Sequence, residues 1–227
     1  MKTLQTYLIV SLVPYCACVL LNIRPFQRAI LQAHNFYRRN EPASNMRLLR
    51  WDRYLELRAA RWSETCYFEH QRGGLGENLS YFSSTGRPVP PRSVIQRSIG
   101  LWAAEKRLYR WSRGCGAACH YTQLIWARTS RVGCSLSFCP VMRVGRGQIQ
   151  RNAMYFACFY APAGNYIGQY PFIPGRRCSR CGRGEACVGG LCAGRIQRFF
   201  GRRRRRSVKM SSKKEFMGIV SEKSQGI

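Results

Sequence analysis

Cysteine is the residue that most constrains how this chain can fold, because 12 of its 227 residues are cysteines. So many thiols in a short chain are typical of proteins that fold in an oxidising compartment, and they argue against a reduced cytosolic protein. Cys16 and Cys18 lie near the N-terminus, in an apolar segment. The other ten form an even set, as five disulfides require: Cys66, Cys115, Cys119, Cys134, Cys139, Cys158, Cys178, Cys181, Cys187 and Cys192.

The N-terminus predicts export from the cell. Residues 8–21 form an apolar run that is interrupted by Pro14 and is too short to span a bilayer comfortably. Such a run is typical of the core of a signal peptide. Cys16 and Cys18 are small enough for the positions before a cleavage site, so we predict a signal peptide over residues 1–18 and a secreted, extracellular protein. The alternative is a buried N-terminal helix.

The charge of the chain predicts a polyanionic partner. Lys and Arg total 38 against 10 Asp and Glu, which gives a net charge of +28. A nucleic-acid binder and a secreted basic protein share this property. Because the predicted compartment is extracellular, we expect a sulfated glycan or an anionic membrane surface as the partner, and no specific nucleic acid.

The basic tail, residues 196–227, is expected to be disordered. It contains a candidate proprotein-convertase site at Arg203, Arg204, Arg205 and Arg206, directly before Ser207. Two other interpretations remain open. In the first, the arginine run binds heparan sulfate or phospholipid directly, since guanidinium groups pair bidentately with sulfate and phosphate. In the second, the tail is simply solvated.

Hydrophobic periodicity predicts helices in the first half of the chain and strands in the second. Helices are expected over residues 24–39, from Asp52 to Cys66 and over residues 93–109. Residues 71–92 are rich in glycine and proline and are expected to form a loop. Strands are expected over residues 132–138 and 153–160. Helices followed by covalently tied strands indicate an α/β fold in which helices sandwich a sheet.

Few polar side chains in the sequence are candidates for metal binding or acid–base catalysis. Two imidazoles, His70 and His120, and two carboxylates, Glu77 and Glu105, can converge on one divalent metal or one acid–base site. Spacing alone does not decide between such a site and four separately hydrogen-bonded side chains. The third histidine, His34, lies on an apolar helix face and is interpreted as a packing residue.

Sequence motifs surround these residues in a fixed order. They are HNFYR at 34–38, W-x3-C-x3-H at 62–70, GENL at 76–79, W-x2-E at 102–105, HYTQLIW at 120–126, VGC at 132–134 and CFYAPAGN at 158–165. Together they resemble the signatures of the CAP superfamily, which comprises cysteine-rich secretory proteins, antigen 5 and pathogenesis-related proteins. The resemblance covers residues 26–192. The cysteine spacing of residues 178–192 is similar to that of glioma pathogenesis-related proteins and peptidase inhibitor 16.

The resemblance implies a three-layer α-β-α sandwich, with a CAP domain over residues 24–174 and a cysteine-rich knob over residues 175–195. It implies a cleft tetrad of His70, Glu77, Glu105 and His120, in which His70 and His120 bind Zn²⁺. It also implies the disulfides Cys66–Cys139, Cys134–Cys158, Cys115–Cys119, Cys178–Cys187 and Cys181–Cys192. A four-cysteine zinc site is the alternative for the knob.

The function that the resemblance implies is non-enzymatic, because most members of the family have no accepted catalytic activity. We expect binding of an extracellular protein, a sterol or another lipid by a monomer or weak dimer. Peptidase inhibition and metal-dependent hydrolysis through the tetrad remain the alternatives.

Two departures from the family pattern affect the expected site. Cys119 stands where glycine usually precedes His120, which is expected to rotate this histidine or strain the local disulfide. Phe159 stands where asparagine is usual. The single sequon begins at Asn78, beside Glu77, and we predict that it carries no glycan, because a glycan there would crowd the cleft.

Overall fold

The computed structural model describes residues 18–71, 73–111, 114–145 and 147–194. Most of the predicted signal peptide lies outside these residues, and so do the predicted basic tail and its processing site at residues 203–206. Among the described residues, no helix is both long enough and apolar enough to cross a membrane.

Four α-helices are described: α1 Gln27–Arg39, α2 Arg53–Ser63, α3 Pro91–Ala104 and α4 Cys119–Leu124. The strands of the main sheet are β1 Val19–Leu20, β2 Arg50–Trp51, β3 Tyr67–Phe68, β4 Gly76–Ser83, β5 Arg131–Val144 and β6 Gln148–Ala161. A separate hairpin consists of β7 Glu185–Val188 and β8 Leu191–Gly194. Asp52 caps α2, because its carboxylate accepts from the Leu55 amide at 3.1 Å.

The main sheet is built on the long antiparallel hairpin of β5 and β6. Its strand order is β1-β5-β6-β4, and the short strands β2 and β3 pair in parallel with β5. Cys134 lies opposite Cys158 in the β5–β6 register, where the two form a disulfide. Strand β4 pairs with β6 along its whole length, from Gly76 opposite Tyr160 to Ser83 opposite Ala153.

Helices cover both faces of this sheet. Successive side chains of β6 point to opposite faces, so neighbouring residues of this strand contact different helices. Phe156 packs with residues of α1 and α3 such as Ile30 and Trp102. Tyr155 packs on the other face with Leu55 and other residues of α2. The α-β-α sandwich expected from the sequence is therefore confirmed.

Three expected elements differ from the structure. Residues 76–83 were expected to be loop, but they form β4, because eight consecutive pairs with β6 and a β-prone run at residues 79–82 outweigh the glycines around them. The second helix was expected to reach Cys66, but it ends at Ser63, and Cys66 has a φ of 51° that no helix accommodates. The third helix is α-helical only to Ala104 and continues as a 3₁₀ turn over Glu105–Leu108.

The cysteine-rich knob is the β7–β8 hairpin with the loop before it. It docks on the segment after α1, where Cys192 N donates to Met46 O at 2.7 Å and Leu48 N donates to Cys192 O at 2.8 Å. Sulfurs of Cys178, Cys181 and Cys192 lie close together. They belong to disulfides, however, so they offer no thiolates to a zinc ion.

The ten cysteines after Cys18 form five disulfides, in the pairs that the resemblance implies: Cys66–Cys139, Cys115–Cys119, Cys134–Cys158, Cys178–Cys187 and Cys181–Cys192. Within the described ranges only Cys18 has a free thiol. Sequence neighbours and residues far apart in the chain are both joined, so the bonds tie the knob internally and tie α2 and β6 to β5.

Candidate ligand-binding cleft

His120 and Glu105 form the first of two histidine–carboxylate pairs. Glu105 follows the last turn of α3, and its Oε1 lies 2.6 Å from His120 Nδ1. Its Oε2 accepts from the amides of His120 and Tyr121 at 3.0 and 3.2 Å, which satisfies free N–H groups at the start of α4. The Trp102 ring stacks on the imidazole with the centroids 6.1 Å apart. His120 is therefore held in place, although Cys119 stands directly before it.

His70 and Glu77 form the second pair. His70 Nδ1 lies 3.1 Å from Glu77 Oε2, which also accepts from the Gln71 amide at 3.1 Å. The Glu77 side chain is only 4% exposed, whereas that of His70 is 64% exposed. Glu77 Oε1 is buried and has no hydrogen-bond partner among the described residues. A buried carboxylate oxygen without a partner is costly and favours a bound cation or water.

Strand β4 and helix α4 bring the two pairs to one region of the molecule. Asn78, next to Glu77, donates from Nδ2 to His120 O at 3.0 Å. Gly76 permits this approach, because a Cβ atom there would lie 2.1 Å from Gln123 Oε1. Asn78 is fully buried, and the nitrogen that would carry a glycan is engaged in this bond. The folded chain therefore agrees with an unmodified Asn78.

Arg38 of α1 holds the C-terminal end of α4 through hydrogen bonds. Its side chain is fully buried, and its guanidinium donates to the carbonyls of Leu124 and Trp126 at 3.0 and 2.9 Å. It also donates to Arg47 O at 2.7 Å and Thr129 O at 2.8 Å. One side chain of α1 thus fixes the helix that carries His120. Sequence reasoning missed this role, because the motif HNFYR places Arg38 on the first helix but does not show that its side chain is buried.

The four tetrad side chains match the donor types that Zn²⁺ takes in proteins, namely imidazole nitrogen and carboxylate oxygen. Each histidine uses Nδ1 for a carboxylate, and Nε2 has no partner within the described residues. Metal-ligating histidines typically have this arrangement. No three of the four bring ligand atoms within 4.8 Å of one another in the described chain. The donor types fit a divalent cation, but the ligand atoms are not gathered around one point. The exposed His70 is the side chain free to adjust.

His34 takes no part in the cleft. It is fully buried, with Nδ1 2.8 Å from Ile30 O and Nε2 2.9 Å from the Tyr160 hydroxyl. Burial lowers the pKa of His34 to about 4, so the ring is neutral at physiological pH. This agrees with its interpretation as a packing residue.

An aromatic cavity of about 460 Å³ lies where α4 meets the segment after β6. Its aromatic lining consists of Tyr109, Trp111, Trp126, Tyr166 and Tyr170. Trp111 and Tyr170 stack with their centroids 4.8 Å apart. Ile167, at the rim, is fully exposed. Sequence reasoning did not single out this cavity, although the aromatic residues that follow CFYAPAGN were a usable signal.

The sequence that forms these elements matches the model of a known protein family. The model of the cysteine-rich secretory protein family, CAP, matches residues 31–160. The chain belongs to the CAP family.

Curated CAP proteins align with nearly three quarters of the chain. Peptidase inhibitor 15 of Mus musculus is 37% identical over 184 residues, which cover 72% of this chain and 69% of that protein. Cysteine-rich secretory protein LCCL domain-containing 1 of Gallus gallus is 38% identical over 185 residues. The match covers 73% of this chain but only 34% of that relative, so the chain spans about a third of the longer protein.

Solved CAP structures share the fold. Na-ASP-1 aligns with a TM-score of 0.62 and 26% identity over 73% of this chain and 46% of that one. A structure of NaASP2 with Zn²⁺ aligns with a TM-score of 0.60 and 25% identity, covering 73% of this chain and 94% of that one.

Proposed function

We propose that this CAP protein is a secreted, non-enzymatic binding protein whose cleft holds a divalent cation, Zn²⁺, through His70 and His120. The pairing of each Nδ1 with a carboxylate carries the proposal, because it orients both imidazoles and leaves both Nε2 atoms available. When bound, the cation would supply a positive centre for an anionic or carbonyl group of an extracellular ligand. Glu77 and Glu105 act by orienting the rings and raising their basicity.

Three observations support this function. The NaASP2 structure was obtained with Zn²⁺. The secretory family and the five disulfides agree with an extracellular location. Relatives of this chain are named peptidase inhibitors, which are binding proteins.

Metal-dependent hydrolysis is the competing function. It would use a zinc-bound water with Glu77 as base. Against it, the relatives are named peptidase inhibitors and not hydrolases. A covalent mechanism is not supported either, because the described cleft offers no serine, threonine or cysteine paired with an imidazole.

Calorimetric titration of the full secreted chain with Zn²⁺ tests the proposal. We expect one ion per chain, and at least about tenfold weaker binding in His70→Ala and in His120→Ala. We expect Glu77→Gln to weaken binding about 10- to 100-fold. His34→Gln is the matched control, since it removes a histidine outside the cleft. Zinc affinity unchanged in the first two variants would overturn the metal site. Zinc-dependent peptide hydrolysis that disappears in Glu77→Gln would overturn the non-enzymatic role.

The aromatic cavity favours an apolar ligand, such as a sterol or fatty acid, as a second candidate function. Stacked Trp111 and Tyr170 offer flat apolar surface to such a molecule. Native mass spectrometry of the protein prepared for the zinc titration detects such a bound ligand. We expect added sterol mass on the wild type and its loss in Trp111→Ala, and no added mass in either protein would remove this candidate.

A further inference from the structure

A charged surface on the knob is separate from the tetrad and from the aromatic cavity. We call it the arginine face, and it consists of Arg39, Arg47, Arg176, Arg177, Arg180 and Arg183. Arg47 is half-buried and the other five are exposed. The six residues come from the end of α1, the segment after it and the loop before β7.

Tertiary contacts bring two of these arginines, Arg39 and Arg177, to the same turn. Arg39 Nε donates to Gly189 O at 2.5 Å, in the turn between β7 and β8. A Cβ atom on Gly190 would lie 3.4 Å from Arg177 Cδ and 3.6 Å from Arg39 Cγ. Two arginine stems from opposite ends of the chain therefore cover the same turn.

The backbone beneath the face is held firmly. The disulfides Cys178–Cys187 and Cys181–Cys192 close the loop that carries Arg180 and Arg183, and Arg177 directly precedes it. Arg180 N donates to Ser44 O at 2.9 Å, which fastens this loop to the CAP domain. A preorganised surface of this kind loses little backbone entropy when it binds a ligand.

The face has almost no negative charge to balance it. The only carboxylate in residues 175–194 is Glu185, and it pairs with Arg47 at 2.9 Å and accepts from Gly182 N at 2.8 Å. None of the other five guanidinium groups has an ion-pair partner among the residues that the structure describes. The face therefore presents five guanidinium groups that no carboxylate of the described residues neutralises, on a backbone held by disulfides.

We propose that the arginine face binds sulfated glycans of the heparan sulfate type. Guanidinium groups pair bidentately with sulfate oxygens, and clustered arginines suit a linear polyanion. The knob, residues 175–194, exposes no large hydrophobic side chain that could insert into a bilayer, which favours a glycan over a membrane. The proposal uses no residue of the cleft and does not depend on metal binding, and this site is distinct from the arginine run at residues 202–206.

The test compares full-length variants on immobilised heparin at several NaCl concentrations. One variant carries R39Q, R177Q, R180Q and R183Q. The matched control carries R28Q, R61Q, R92Q and R151Q, which removes four exposed arginines outside the face and leaves the same net charge. A third variant replaces the same four face residues with lysine, and near-ultraviolet circular dichroism verifies the fold of each.

We expect the glutamine face variant to bind at least about tenfold more weakly at physiological salt, and to lower the slope of log affinity against log NaCl by about two to four. The control keeps most of the affinity, and the lysine variant binds between the glutamine variant and the wild type, because its ammonium groups keep the charge but lack the bidentate fork. Equal losses in the control and face variants would overturn the proposal, because binding would follow net charge alone. A lysine variant with the affinity of the wild type would overturn the bidentate pairing, because charge alone would then suffice. Loss of binding to phosphatidylserine vesicles with heparin binding intact would assign the face to membranes instead.

Discussion

Arg38 is a buried cation whose partners are backbone carbonyls, among them those of Leu124, Trp126 and Thr129. Burial lowers its pKa to about 9, and the side chain stays charged at neutral pH. Lysine lacks the planar fork that reaches several carbonyls at once. We expect Arg38→Lys to lower the free energy of unfolding by about 3 kcal/mol or more, because buried carbonyls lose their donors.

Urea unfolding with the disulfides intact measures this loss. Arg28→Lys, at an exposed position of the same helix, is the control and should change stability by less than about 0.5 kcal/mol. Similar effects of both substitutions would contradict the anchoring role of Arg38.

His34 makes the stability depend on pH in the acidic range. Its pKa falls from 6.5 to about 4 in the folded protein, because burial disfavours the charged ring. The unfolded chain therefore takes up the proton first, and stability is lost as the pH falls from about 6.5 towards 4. At pH 5 this amounts to about 2 kcal/mol relative to pH 7.

Urea unfolding at pH 7 and pH 5 reads out this dependence. Much of the difference should disappear in His34→Gln and persist in His70→Gln, which replaces an exposed histidine. An identical pH dependence in His34→Gln and the wild type would show that another group titrates.

The contact between α2 and β5 depends on Gly133. A Cβ atom at this position would lie 2.1 Å from the backbone nitrogen of Glu56 and 2.6 Å from Asp52 O. Because these are backbone atoms, the helix itself would have to move. We expect Gly133→Ala to lower the free energy of unfolding by about 3 kcal/mol, towards the upper end of typical overpacking costs.

Gly100, within α3, provides the matched control for Gly133→Ala, since a Cβ atom there meets nothing within 4 Å. Gly100→Ala should raise stability by up to about 1 kcal/mol, because alanine has the higher helix propensity. Thermal unfolding compares the two variants, and a harmless Gly133→Ala would contradict the close approach of α2 to β5.

The whole molecule combines a large positive charge with very few acids. Eight Asp and Glu residues lie in the described ranges, and six of them pair with an arginine, a lysine or a histidine. The cleft uses two of these acids and the arginine face only one. Most arginines are therefore left to solvent and external anions, so the heparin measurement should show strong salt dependence.

Several parts of the site were predictable and several were not. Local patterns predicted the helix that follows Asp52 and the strand around Cys134. They failed at β4, because the glycines and prolines around it hid a short β-prone run at residues 79–82, which pairs with β6. Glu77 was consequently expected in a loop, although a strand holds it beside His70.

The sequence by itself determined the number of bridging cysteines, the order of the CAP motifs and the amphipathic helices, because these are local patterns or ratios of residue types. Only the tertiary structure decided which imidazole meets which carboxylate, why Arg38 is buried and where the knob gathers its arginines. Arg39 and Gly189 are 150 residues apart in the chain. Contacts of such separation arise from the packing of helices on a shared sheet, which no local pattern encodes.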